Sequence, residues 1–187
     1  MNIFRHFITI TRHRHKVMAL CFKVGLYTQG FTHDLSKYTP SEFIPGAKYY
    51  QGSRSPQARE RELFGYSAAW LHHKGRNRHH FEYWVDSGAD NNFVFVKMPA
   101  KYFGEMICDR IAASKIYMGK NYTDAKPLEY FNTRTHKSGM NAATCADLEF
   151  FLKMLAEHGE KYTLARLKKF IKEESAAEKK AKSRART

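Results

Sequence analysis

Histidine is the residue whose distribution first suggests chemistry. Ten histidines occur in 187 residues, and eight lie before residue 81. Four of them crowd together as His72-His73 and His79-His80. Neutral imidazole combined with carboxylate suits divalent transition metals such as Mn, Fe, Co, Ni or Zn. The residues to be explained are His15, His33-Asp34, His72-His73, His79-His80 and Asp109.

Adjacent His33 and Asp34 reach one ion only if the backbone turns so that both side chains point inward. Lys37 follows Asp34 by three residues, about one helical turn, so its ammonium can meet a phosphate bound at the metal. The plainer alternative is a helix-end His-Asp pair with a surface lysine. Asp109 lies in the run Met106-Ile-Cys-Asp-Arg-Ile-Ala-Ala113. At helical spacing it shares a line with Tyr102, Met106, Ala113 and Ile116. A carboxylate there is costly unless paired or metal-bound. Metal ligation is preferred to a salt bridge with Arg14 or Arg110.

His15 sits near the edge of the first helix's apolar face, and His13, on the other flank, is the weaker candidate. His72 and His79, like His73 and His80, are seven residues apart, which in an unbroken helix is two turns and one face. Gly75 makes an unbroken helix doubtful, but a loop can also bring the pairs together. Within each pair the sequence does not separate the ligand from its neighbour. Lys74, Arg76 and Arg78 add positive charge suited to an anionic substrate.

The elements that must position these residues read as helical. Residues 3–27 place Phe4, Phe7, Ile8, Met18, Cys21 and Phe22 on one face and Arg5, Arg12, Lys16 and Lys23 on the other. Thr39-Pro40-Ser41-Glu42 has the form of a capping box and predicts a helix start. Ser55-Pro56 predicts a helix running to His73, and a short aromatic helix is expected from His79 to Val85. Residues 86–92 read as a loop, and Phe93–Val96 is the only strand-like run. Pro99 predicts a helix to Met118, closed by Gly119. Further helices are expected near 127–136, 142–158 and 163–174, with Gly159 as a stop signal.

The length suits one domain with its own core. No run approaches the ~20 apolar residues of a membrane span, and the N-terminus lacks the pattern of a signal peptide, so a cytoplasmic protein with no membrane partner is expected. Cys21, Cys108 and Cys145 are far apart, without a CxxC, and read as buried free thiols. Net charge is +14. Ten Lys/Arg against three Glu fall in residues 161–187. Residues 175–187 carry no large apolar side chain and are expected to be a frayed helix or disordered. That basic tail can bind nucleic acid through phosphate contacts or act only as a solubilising end.

The order His15, His33-Asp34, His73, His79-His80, Asp109 resembles the HD superfamily of metal-dependent phosphohydrolases. The resemblance extends to Lys37, three residues after the Asp, and to the Cys-Asp-Arg-Ile-Ala-Ala context of Asp109. Four blocks are also similar to an uncharacterised bacterial and phage family: Arg14-His15-Lys16, Gly30 to Phe43, Ala69 to Trp84, and Glu105 to Asp109. The spacing departs from HD proteins in the short gaps between His15 and His33 and between His73 and His79. The resemblance implies an all-α, HD-like helical bundle over residues 1–174 followed by the tail. It implies one or two divalent ions held by His15, His33, Asp34, His73, His79, His80 and Asp109. Asp34 and Lys37 would be catalytic, with Lys37, Arg76 and Arg78 binding a phosphorylated small molecule or nucleotide. The alternatives are a non-catalytic nucleic-acid-binding protein and a catalytically silent HD-like scaffold.

Overall fold

The computed structural model describes residues 1–133 and 139–185. Helix α1 (Ile3–Lys23) starts at Asn2, whose side chain accepts from the Arg5 amide. Its buried positions are His6, Ile10, His13, Val17, Leu20 and Cys21, and the first five follow steps of four and three, which is one helical face. This corrects the expected orientation. Phe4, Phe7 and Ile8 are exposed, and two histidines face inward instead. The apolar count favoured the phenylalanine face, but buried carboxylates opposite His13 make the other face the inner one.

Gly25, at φ 83°, ends this run, and α2 (Tyr27–Thr32) follows. A 3-10 turn at Leu35–Tyr38 leads into α3 (Pro40–Lys48). The single helix expected from Pro56 to His73 is two, α4 (Pro56–Phe64) and α5 (Ala68–Arg76). They are separated at Gly65, whose φ of 78° fits the left-handed end of a helix. The expected aromatic helix at 79–85 is only a 3-10 turn at Phe81–Tyr83. The segment after it pairs as an antiparallel hairpin, β1 (Val85–Ser87) with β2 (Phe93–Phe95), Val85 opposite Phe95.

Helix α6 (Ala100–Met118) ends at Gly119, as the sequence suggests, and α7 spans Lys126–Asn132. The last residues of the helix expected near 127–136 lie outside the described residues. The two helices expected at 142–158 and 163–174 are one, α8 (Ala142–Arg184), kinked at Gly159. There the Glu160 amide, freed from the helix ladder, donates to Asp124 Oδ2 at 3.1 Å. The segment beginning at Ser175 is helical to Arg184. Near its start Glu178 accepts from the Ala100 amide at 2.7 Å, and just before it Glu174 pairs with Lys97 at 2.8 Å.

The fold is all-α apart from the hairpin. Its core is built on α6, with Phe103, Met106, Ile107, Cys108, Ile111 and Ala112 buried. Val17, Leu20 and Cys21 of α1 and Leu148, Leu152, Leu155 and Leu167 of α8 belong to the same cluster. Each Val, Leu, Ile, Phe or Met side chain among these contributes about 1.5–3 kcal/mol by burial. Gly104 permits this packing, since a Cβ there would lie 2.5 Å from Ile171 Cδ1. The cysteines are free thiols; Cys21 and Cys108 are buried and Cys145 is partly so. Among the described residues no helix is long and apolar enough to cross a membrane.

Candidate metal centre

Four elements bring the chemistry together. The first is the turn after α2. His33 is extended (φ −51°, ψ 126°) and Asp34 is left-handed (φ 54°, ψ 24°). That abrupt change lets both neighbours be buried, each with 1 % exposure. A non-glycine residue in the left-handed region costs on the order of 1–3 kcal/mol and concentrates at functional sites, and Asp tolerates it better than most. Helix α1 supplies His13. Helix α5 and the turn after it supply His73, His79 and His80. Helix α6 supplies Asp109 and, one turn before it on the same face, Glu105.

Among the described residues these side chains form three groups: one of His33, His79 and Glu105, and two that share Asp34. Of these two, His13, His33, Asp34 and Asp109 make the first; Asp34, His73, His79 and His80 make the second. In the first, His13 Nε2 is 3.0 Å from Asp109 Oδ1 and 3.4 Å from His33 Nε2. His33 Nε2 is 3.3 Å from Asp34 Oδ2. In the second, Asp34 Oδ1 is 3.3 Å from His73 Nε2 and 3.5 Å from His79 Nε2. Bonds of about 2.0–2.1 Å to nitrogen or oxygen place neighbouring donors of a tetrahedral shell roughly 3.4 Å apart. The spacings therefore suit a small divalent cation in each of these two groups.

The hydrogen bonding is incomplete in the same place. Asp34 Oδ1, His79 Nε2 and His80 Nε2 make no hydrogen bond, although all are buried. Such atoms are expensive unless something else satisfies them. Lys37 Nζ stands 2.5 Å from Asp34 Oδ2 as an ion pair. The imidazoles are held from behind. His33 Nδ1 and His79 Nδ1 lie 2.8 and 3.1 Å from Glu105 Oε1. His73 Nδ1 lies 2.7 Å from Glu42 Oε2, and His72 Nδ1 lies 2.7 Å from Glu42 Oε1.

Charge follows this geometry. Burial would push Asp34 up, but His33, Lys37 and His73 hold it well below the usual carboxylate range. Burial would likewise raise Asp109, and His13 and His33 hold it well below that range. Burial alone would lower His33, yet Asp34, Asp109 and Glu105 hold it well above an ordinary histidine. His80 is pushed well down by burial and by His79 and His73. It therefore stays neutral, the form in which imidazole ligates a metal.

His33, Asp34, His73, His79, His80 and Asp109 thus lie in the two groups that share Asp34. His15 does not, and this corrects the sequence expectation. It is exposed on α1, while His13, two residues earlier and about 200° round the helix, occupies that place. The steps His6, Ile10, His13, Val17, Leu20 would have found it. Arg76 and Arg78 are exposed. Arg78 donates to the Tyr102 hydroxyl at 3.1 Å, with its guanidinium over the Tyr83 ring. Glu105 and Glu42 were not singled out. Glu105 could have been, four residues before Asp109 in the same apolar run. Glu42 has the sequence form of a capping residue, but its carboxylate goes to His72 and His73.

Buried His and Asp side chains in this arrangement can hold metal ions. No curated protein and no solved structure significantly matches the chain. Residues 2–154 match the profile of a family of unknown function, DUF5662, and the chain belongs to that family.

Proposed function

We propose that the protein is a metal-dependent phosphohydrolase of the HD type, acting on a phosphomonoester, a phosphodiester or a nucleotide. His13, His33, Asp34 and Asp109 would hold one divalent ion, and Asp34, His73, His79 and His80 a second. The observation that carries this reading is Asp34: a buried carboxylate with a different donor group at each oxygen, Oδ1 making no hydrogen bond and Oδ2 paired with Lys37. Bound divalent ions polarise phosphoryl oxygens and supply hydroxide at neutral pH.

The chain's own residues do the rest. Asp34 fixes the relative position of the two groups through a backbone that the 3-10 turn at Leu35–Tyr38 holds in place. The Lys37 and Asp109 side chains retain 23 % and 18 % exposure, so substrate approaches on their side. Asp34 and Asp109 outweigh burial and keep the Lys37 ammonium charged, where it would neutralise phosphate. Lys37 fits that role better than Arg76 or Arg78, which are exposed, Arg78 being engaged by tyrosines. The test is elemental analysis of purified protein, followed by phosphatase, phosphodiesterase and nucleotidase assays with each metal. Near-stoichiometric metal and activity, both lost in Asp34→Asn and Asp109→Ala, are expected. Activity unchanged in those variants, or in EDTA, would refute the reading.

A second reading, nucleic-acid binding along α8, is favoured by one feature. Lys161, Lys168, Lys172 and Lys179 are exposed and, at steps of seven and four, share one line about 27 Å long. The nearby Glu174 and Glu178 are turned to Lys97 and the Ala100 amide. Binding to a DNA or RNA oligomer should then weaken steeply with salt and persist in EDTA. Changing the four lysines to Gln should flatten that slope; an unchanged slope excludes this surface.

A further inference from the structure

An imidazole that points Nε2 at a metal must keep its proton on Nδ1, and an acceptor there fixes both ring orientation and tautomer. Three inward-facing rings have such an acceptor, but they share two carboxylates unequally. His33, in the first group, and His79, in the second, both reach one atom, Glu105 Oε1, at 2.8 and 3.1 Å. Glu42 Oε2 receives His73 of the second group at 2.7 Å, and its other oxygen receives His72, which lies in neither group. Both carboxylates are buried, Glu105 at 6 % and Glu42 at 4 % exposure. Glu105 also sits one turn before Asp109, so a single rigid helix carries a donor of the first group and the anchor of both.

We infer that Glu105 is a shared positioning residue that couples occupation of the two metal positions, whereas Glu42 positions the second alone. The inference rests on the two-ion reading above. Ordering His33 around a first ion fixes Glu105, and Glu105 then holds His79 in its binding orientation before a second ion arrives. The second ion therefore meets a site whose ordering is already done, which is positive cooperativity.

The experiment is a Co²⁺ titration of the metal-free full chain, followed by visible absorption and equilibrium dialysis with a competing chelator. Wild type, Glu105→Met, Glu105→Gln and Glu42→Met are compared. Loss of an outer hydrogen bond to a ligating histidine typically weakens metal affinity about 10–100-fold. Glu105→Met should weaken both binding steps by that factor and abolish their cooperativity. Glu105→Gln, whose amide oxygen still accepts from both rings, should recover part of the loss, which a purely packing role would not predict. Glu42→Met should weaken the second step only. The inference is overturned if Glu105→Met alters one step alone, or if Gln binds no better than Met. A third equivalent in wild type would make Glu105 a ligand, with the same consequence. Wild type taking up no Co²⁺ would instead remove the two-ion reading, and this one with it. Should Glu105→Met fail to fold, ¹⁵N-histidine spectra of the Zn²⁺-loaded wild type decide: His33 and His79 must both carry Nδ1–H, and an Nε2–H ring at either overturns the coupling.

Discussion

Replacing Asp34 by Asn isolates the feature on which the proposed metal centre depends. Asn is nearly the same size and tolerates the left-handed backbone seen at position 34, so the turn between α2 and the 3-10 segment should survive. What is lost is the anionic carboxylate that presents one oxygen to each donor group. An ion bound only to the folded state, at a free concentration about 100 times its Kd, stabilises by about 2.7 kcal/mol. Two such ions give roughly 5.5 kcal/mol. For a domain of this size each kcal/mol moves Tm by about 2–4 °C, so saturating metal should raise the wild-type Tm by roughly 10–20 °C. The assay is a thermal melt with Mn²⁺, Co²⁺ or Zn²⁺ and with EDTA, each protein compared with its own metal-free form. That control matters because the substitution also removes the anionic partner of Lys37 and one of the three beside His33, and the metal-free variant should itself melt lower. The variant's own metal shift should be a small fraction of the wild-type one. An undiminished shift in Asp34→Asn, or no wild-type shift with any of these ions, would refute the reasoning.

Other outcomes follow from particular residues. His13→Ala should lose one equivalent of metal by elemental analysis, while His15→Ala, altering an exposed ring, should lose none; the opposite pattern would restore the sequence assignment. A Cβ at Gly46 would crowd the His6 ring at Nε2, so Gly46→Ala should cost about 1–3 kcal/mol by overpacking, measured by urea unfolding. Burial and Lys37 lower His6 to about 4 from 6.5. Between those values the unfolded chain binds more protons at this site than the folded one. Its contribution is therefore fully present above pH 6.5 and is lost as pH falls towards 4. His6→Leu should flatten that acid limb in denaturant titrations at stepped pH, and an unchanged limb would show that other groups set it.

Much of the site was legible because its chemistry is local in sequence. His33 and Asp34 are adjacent, His73, His79 and His80 sit within one short segment, and Asp109 stands out as a carboxylate in an apolar helix. What failed was orientation. Choosing His15 over His13 depended on which face of α1 points inward, and the phenylalanines at 4 and 7 indicated the wrong one. No count of apolar residues reveals that α6 offers Asp109 opposite His13. Glu42 illustrates the same limit: its local pattern belongs to a helix start, and only the approach of α5 to α3 turns it to His72 and His73. Helix ends were misjudged where tertiary contacts intervene. Asp124 supports the amide beyond the kink at Gly159, and Glu174 and Glu178 hold the start of the last segment to Lys97 and the Ala100 amide.

The energetic pattern of the cluster bears on why such residues are buried at all. Asp34, Asp109, Glu105 and Glu42 bring their carboxylates into a nearly dry region with His13, His33, His73, His79, His80 and Lys37. A structural polar network is normally worth burying only when its members satisfy one another. Glu105 and Glu42 meet that standard, each accepting from two imidazoles. Asp34 does not: it occupies a left-handed backbone region, and its Oδ1 lacks a hydrogen bond while Oδ2 pairs with Lys37. His79 and His80 leave their Nε2 atoms unmatched on the same side. Within the cluster the unmatched atoms are the ones that face inward, although Glu82 Oε2, outside it, also lacks a hydrogen bond. Packing alone would be served as well by apolar groups in their place, a replacement that is often neutral or stabilising. Convergence on the space between Asp34 and the histidines is what a site completed by cations requires, since protons move off the rings when a metal binds and the orphaned lone pairs become its ligands.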